Sequence, residues 1–71
     1  MDDAVIELQL NGKARSIPES TTVSSLLDLL ELSQQRLAVE CNGEIVPKSQ
    51  HDHRVLQTGD RVEIVQAIGG G

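Results

Sequence analysis

The sequence predicts an α+β domain in which one main helix covers one face of a mixed sheet of four to five strands. The chain has 71 residues, enough for one domain. Apolar residues alternate with period two in several short segments, and one segment repeats them at helical spacing. A single apolar helix stripe can cover a single sheet face. We expect the domain to span residues 1–68, followed by a flexible glycine tail at 69–71.

The first two strands are predicted to form a hairpin. Residues from Ala4 to Leu10 alternate between an apolar and a more polar face. Asn11-Gly12 follows, a pair that favours the two positive φ angles of a type I′ turn. A second strand then runs from Lys13 to Ile17 and ends at Pro18, which keeps the residue before it extended.

The helix is predicted to begin after Thr21 and Thr22, because either hydroxyl can accept a hydrogen bond from a free backbone N–H of the first turn. Apolar residues then recur at i, i+3, i+4 and i+7 and form one stripe. This stripe consists of Val23, Leu26, Leu27 and Leu30. We expect the helix to end near Leu32-Ser33, although no glycine cap is present there.

The second half of the chain contains three further predicted strands, at 37–41, 44–46 and 61–68. Asn42-Gly43 is a second turn signal, and residues 48–57 are polar and predicted to be irregular. The last strand has apolar residues on both faces, as expected in the middle of a sheet. It can lie parallel to the first strand, because the helix supplies the long crossover that parallel pairing needs.

Composition excludes several classes of function. The net charge is −5, with 11 acidic and 6 basic residues and no aromatic residue, which argues against nucleic-acid binding. A domain this short has little room for an enclosed pocket, so we expect a carrier or binding module and not an enzyme. The N-terminus lacks the features of a signal peptide and no apolar run could span a membrane. We therefore expect a cytoplasmic protein that is a monomer when free and has no membrane partner.

Three side chains are candidates for chemistry, but a structural interpretation is favoured for each. Cys41 shares a strand face with apolar residues, so we expect it to pack in the core. His51 and His53 form a His-x-His pair in the polar segment, too few ligands for a metal site. We therefore predict a solvated loop there, and no metal.

The sheet face away from the helix is a candidate docking surface. If the last strand lies between its two neighbours, Glu7, Glu40 and Glu63 come from three adjacent strands. Val65 and Ala67 lie beside them. Our hypothesis is that this acidic row docks onto a basic partner surface. The alternative is a solvated face that keeps the protein soluble, since half-wet faces are ordinary in antiparallel sheets.

Short blocks spread along the whole chain carry a family resemblance. The blocks are Asn11-Gly12, Thr22-Val23, Leu26-Leu27, Val39, Asn42, Ile45-Val46-Pro47, Gly59-Asp60-Arg61-Val62 and Ala67-Ile68-Gly69-Gly70-Gly71. In this order they resemble the β-grasp fold of ubiquitin and, among such chains, the prokaryotic sulfur carriers. Within those they most resemble the ThiS group, the carriers of thiamine thiazole synthesis. One departure is that Gly69 lengthens the glycine run to three.

The resemblance implies that the C-terminal carboxylate is the working group. A ThiF-type adenylyltransferase would use ATP to adenylate Gly71, and a persulfide donor of the cysteine desulfurase or rhodanese type would convert the adenylate to a thiocarboxylate. The thiocarboxylate would donate sulfur to thiazole synthase, ThiG. Ile68, Gly69 and Gly70 would enter the partners' active sites. The chain itself would supply no catalytic residue and hold no permanent cofactor.

Three alternatives share the same fold or the same tail. The small subunit of molybdopterin synthase would carry the same thiocarboxylate into a different biosynthesis, but such subunits tend to be longer and richer in aromatic residues. A ubiquitin-like modifier would instead join Gly71 to lysines of target proteins. A simple binding domain with an inert tail is the third alternative.

Overall fold

The computed structural model describes residues 4–66, in which one helix packs on one face of a five-stranded sheet. The predicted α+β class is therefore confirmed. The elements in chain order are β1 (Val5–Leu10), β2 (Lys13–Pro18), α1 (Val23–Leu29), β3 (Leu37–Cys41), β4 (Glu44–Val46), a 3-10 helix (Lys48–Gln50) and β5 (Arg61–Gln66). The predicted domain boundary at residue 68 lies outside the described residues.

The sheet has the strand order β2-β1-β5-β3-β4, so the last strand of the chain lies at its centre. β5 is parallel to β1 and antiparallel to β3, while β1 and β2 form the predicted hairpin. The connection through α1 makes the parallel pairing of the first and last strands possible, as the sequence predicted. The tail of the chain therefore continues from the central strand.

Aliphatic side chains from both layers form the core. Val23 and Leu26 of α1 have no exposed surface and pack with Val39 of β3 and Val62 of β5. Each fully buried aliphatic side chain of this size contributes roughly 1.5–3 kcal/mol. Cys41 belongs to the same cluster and is fully buried, which confirms the prediction that it packs in the core.

The helix begins as predicted but ends earlier. The Thr22 side chain accepts a hydrogen bond from the Ser25 backbone N–H (3.1 Å). The predicted end near Leu32-Ser33 is wrong, because the helix stops at Leu29 with Leu30 as its cap. Glu31 follows in the left-handed region, with φ 59°, and performs the role usually taken by glycine.

Two hydrogen bonds complete this helix end. The Leu32 backbone N–H donates to the Leu27 carbonyl (2.8 Å), and the Glu31 N–H donates to the Asp28 carbonyl (3.0 Å). This pairing is the Schellman motif, in which the two residues after the cap satisfy carbonyls of the last turn. The sequence did not predict it, because glutamate is not a residue that favours positive φ.

The segment 48–57 is more ordered than predicted. It contains the 3-10 helix, and His51 is buried, with Nε2 3.1 Å from the Val46 carbonyl oxygen. The prediction of a solvated loop is therefore wrong for His51, although His53 is exposed. The cause is tertiary, since the segment pairs with the start of α1. The Val23 N–H donates to the Arg54 carbonyl (3.0 Å).

Candidate functional site

The predicted tail residues Ile68, Gly69, Gly70 and Gly71 lie outside the described residues, as does Ala67 of the predicted docking surface. The structure does describe the strand from which they continue. Gln66 is the last described residue of β5 and lies opposite Leu37 of β3. The site is therefore defined by how β5 is held and by the surface next to its end.

The two neighbours of β5 pair with different parts of it. Every residue of β3 pairs with β5, from Cys41 opposite Val62 to Leu37 opposite Gln66. β1 pairs only with Arg61 and Val62, at the start. The tail-proximal half of β5 therefore extends beyond β1 and is paired through its backbone with β3.

The side chain of Asn11 reaches this tail-proximal half. The Ile64 backbone N–H donates a hydrogen bond to Oδ1 of Asn11 (2.8 Å), and the Asn11 N–H donates to the Val62 carbonyl (2.9 Å). Sequence reasoning identified Asn11 as a turn residue and missed this second role. The available signal was the capacity of an asparagine at the end of one strand to accept a hydrogen bond from the next.

Asn42, in the other Asn-Gly turn, holds the opposite end of β5. The Arg61 backbone N–H donates to its Oδ1 (2.9 Å), and its Nδ2 donates to Oδ1 of Asp60 (3.0 Å). Asp60 also accepts from the Gln57 N–H through Oδ2 (2.9 Å), which closes the turn before the strand. Each Asn-Gly turn therefore fastens β5 with its asparagine side chain.

The face of the sheet away from α1, called the open face below, carries an acidic pair beside apolar side chains. Glu40 and Glu63 lie directly opposite each other on β3 and β5. Val65 of β5 is 53% exposed and Ile45 of β4 is 59% exposed, and Ala38 lies opposite Val65. Two like charges facing each other across strands are mildly destabilising.

Glu7, Glu40 and Glu63 come from three adjacent strands, as predicted, but Glu7 is not level with the other two. The register places Gln9 opposite Arg61, so Glu63 would align with position 11, four residues beyond Glu7. Four residues of strand correspond to about 13 Å. The backbone carbonyl of Glu7 accepts a hydrogen bond from the Gly59 N–H (2.9 Å), so Glu7 lies beside the turn that precedes β5. The parallel register depends on hydrogen bonds between residues far apart in the chain, which strand patterns do not reveal.

The remaining candidate side chains do not form a reactive site. Burial, and next the negative charge of Asp60, raise the pKa of the Cys41 thiol, while Arg54 opposes the shift. A raised pKa reduces the thiolate population and thus the reactivity. Within residues 4–66, no three His, Cys, Asp or Glu side chains group closely enough to hold a metal ion. Neither helix of that part has the length and apolar character of a membrane span.

Comparisons with known proteins agree with this fold. A thiazole synthase from Paramagnetospirillum magneticum is 44% identical over 66 residues, which are 93% of this chain but 20% of that protein. The sulfur carrier protein ThiS of Escherichia coli strain K12 is 32% identical over 93% of this chain and 100% of that protein. The crystal structure of ThiS from Geobacter metallireducens matches with a TM-score of 0.82 and 35% identity, over 93% of this chain and 100% of that one.

The family assignment covers nearly the whole chain. The sequence model of the ThiS family matches residues 8–71, which include the terminal glycines. The chain spans about a fifth of the Paramagnetospirillum thiazole synthase but the whole of two ThiS proteins. Both the predicted β-grasp fold and the predicted resemblance are thus confirmed. The chain belongs to the ThiS family, the small sulfur carrier proteins of thiamine biosynthesis.

Proposed function

We propose that this carrier bears its sulfur as a thiocarboxylate on Gly71. The observation that supports the proposal is that the ThiS family match extends to residue 71, while β5, the central strand, ends at Gln66, shortly before the glycines in sequence. The proposal places the reactions in the cytoplasm, where thiols stay reduced.

Gly71 needs activation because a carboxylate is a poor electrophile. A ThiF-type adenylyltransferase joins the Gly71 carboxylate to AMP from ATP and releases pyrophosphate. A persulfide sulfur of the donor, a cysteine desulfurase or rhodanese type protein, then attacks the acyl carbon and displaces AMP. A thiol reductant cleaves the resulting acyl disulfide, which leaves the thiocarboxylate on Gly71. ATP belongs to the partner, so the carrier needs no resident cofactor.

The glycines suit a tail that must enter more than one partner. Glycine has no Cβ, so Gly70 and Gly71 form a thin thread that fits a narrow catalytic slot. Residues 69–71 span about 10 Å when extended, enough to carry the carboxylate past a partner's surface. Ile68 is then the last side chain before the slot.

Thiazole synthase, ThiG, is the proposed acceptor of the sulfur. In the Paramagnetospirillum protein of that name, a segment similar to this chain makes up 20% of the polypeptide. The same polypeptide therefore holds a carrier-like segment and further sequence about four times as long. We infer that this chain delivers its sulfur to an acceptor of the thiazole synthase type.

The open face is the proposed docking surface. Its exposed Val65 and Ile45 provide apolar area next to the facing carboxylates of Glu40 and Glu63. An interface with an apolar centre and charged flanks gains affinity from burial and orientation from charge. We therefore expect the partner surface to be basic around an apolar patch.

Mass spectrometry tests the proposal. The protein is incubated with a ThiF-type adenylyltransferase, ATP and a persulfide donor, reduced, and weighed intact. The expected product has one oxygen replaced by sulfur. A matched control lacks Gly70 and Gly71, keeps the folded domain and should remain unchanged. A full-length chain whose mass never changes, with a partner shown to be active on another carrier, would contradict the proposed function.

A further inference from the structure

The last residues of β5 require a hydrogen-bond acceptor that strand β1 cannot supply through its backbone. In the parallel β1–β5 ladder, Val62 lies opposite Leu10, and the next acceptor would be a backbone carbonyl at position 11. The chain turns there, because Asn11 and Gly12 both have positive φ, 51° and 84°. The Ile64 N–H donates instead to Oδ1 of the Asn11 side chain (2.8 Å).

Few residue types could fill this position. The hairpin turn requires a residue that tolerates positive φ, and the free N–H of Ile64 requires a short side chain with an acceptor oxygen. Asparagine and aspartate satisfy both requirements, while glycine satisfies only the first. Asn11 therefore both forms the hairpin turn and accepts the hydrogen bond that holds β5.

The opposite side of the same segment is held by β3. Val65 lies opposite Ala38, and Gln66 lies opposite Leu37. The Gln66 side chain also donates through Nε2 to Oε1 of Gln35 (3.3 Å). The segment 64–66 is thus held by a strand on one side and by the Asn11 side chain on the other.

We propose that Asn11 is a positioning residue of the carrier, whose side-chain oxygen keeps segment 64–66 in line on β5 so that Val65 and the end of β5 are presented to a partner in one direction. This role rests on the proposed function, adenylation of Gly71 by an ATP-dependent partner. Without the Asn11 oxygen, the segment must be ordered at the moment of binding, which weakens association. Chemistry at the bound carboxylate is unaffected, so the change is in KM and not in kcat.

The chain contains a matched control in its second Asn-Gly turn. Asn42 has the same positive φ, 55°, and its Oδ1 accepts from the Arg61 N–H (2.9 Å). It thereby fastens the start of β5, away from the tail. Asn11→Gly and Asn42→Gly both keep the turn and both remove a side-chain bond to β5. Asn11→Asp keeps the turn and an acceptor oxygen.

The kinetic test follows pyrophosphate release by the ThiF-type adenylyltransferase at saturating ATP while the concentration of the carrier is varied. We expect Asn11→Gly to raise the KM for the carrier by about five- to tenfold with kcat unchanged, because pre-ordering is lost. Asn42→Gly and Asn11→Asp should both stay within about twofold of wild type on the same grounds. All variants are assayed well below their melting temperatures.

Amide hydrogen exchange tests the contact itself without an enzyme. Asn11→Gly should lower protection at the Ile64 amide by about tenfold, and Asn42→Gly should do so at Arg61, as expected for local opening. Unchanged protection at Ile64, or an equal rise in KM for Asn11→Gly and Asn11→Asp, overturns the positioning role. A wild-type chain that is never adenylated contradicts the proposed function. A wild type that is adenylated while Asn11→Gly has the same KM contradicts the positioning role alone.

Discussion

Glu31 after α1 offers a direct test of how the helix ends, since Glu31→Gly should stabilise the protein. Glu31 has φ 59° and is exposed, so its side chain contributes little packing. The left-handed conformation costs an L-residue roughly 1–2 kcal/mol. Glycine avoids this cost but loses about 0.4–1 kcal/mol through its greater freedom in the unfolded chain. We expect a net stabilisation of about 0.5–1 kcal/mol.

Urea denaturation followed by circular dichroism measures this change in the free energy of unfolding. In thermal denaturation, the melting temperature is expected to rise by about 2–8 °C for a domain of this size. Glu31→Gln is the matched control, because it removes the charge and keeps the Cβ that causes the strain. It should change the free energy of unfolding by less than about 0.5 kcal/mol. If Glu31→Gly is no more stable than Glu31→Gln, the assignment of strain at this position is wrong.

Three further substitutions or reactions test the core and the open face. Leu26→Ala in the fully buried centre should lower the free energy of unfolding by about 2–5 kcal/mol, close to the whole stability of so small a domain. A variant that still unfolds cooperatively in urea, with nearly the wild-type free energy of unfolding, would contradict this. Cys41 should resist alkylation by iodoacetamide at pH 8 in the native protein and react in urea, because burial raises the pKa of its thiol. Rapid alkylation of the native protein would show that the thiol is accessible and would contradict this. Glu63→Lys places opposite charges across from Glu40 and should stabilise the fold by about 0.2–1 kcal/mol, while it weakens adenylyltransferase binding most at low salt. An affinity and salt dependence like those of wild type would count against docking through the open face.

Much of the fold was predictable because the deciding interactions are local. Asn-Gly at 11–12 and 42–43 favours the positive φ angles that hairpin turns need, and Thr22 can cap a helix from its own first turn. Alternation along a strand determines which side chains share a face, so the burial of Cys41 followed from parity alone. The prediction that the last strand is central also succeeded, although only one of its faces is covered, since Val62 is buried while Val65 is 53% exposed.

The predictions that were wrong, for the end of the helix and for His51, concern features that the local sequence pattern does not determine. The helix ends at Leu29 because Glu31 accepts a strained φ that its sequence neighbourhood does not predict. His51 is buried because its segment packs against the start of α1, a contact between residues far apart in the chain.

The sequence by itself determined the turns, the helix start, the faces of the strands and a chain that ends in glycine, since each depends on residues within a few positions of one another. Only the tertiary structure decided the parallel register of β1 against β5, because that register depends on hydrogen bonds between residues far apart in the chain, such as the Asn11 N–H to the Val62 carbonyl. The register separates Glu7 from the acidic pair of Glu40 and Glu63. It also brings Asn11 to the N–H of Ile64, so a residue predicted only as a turn former holds the strand that leads into the tail.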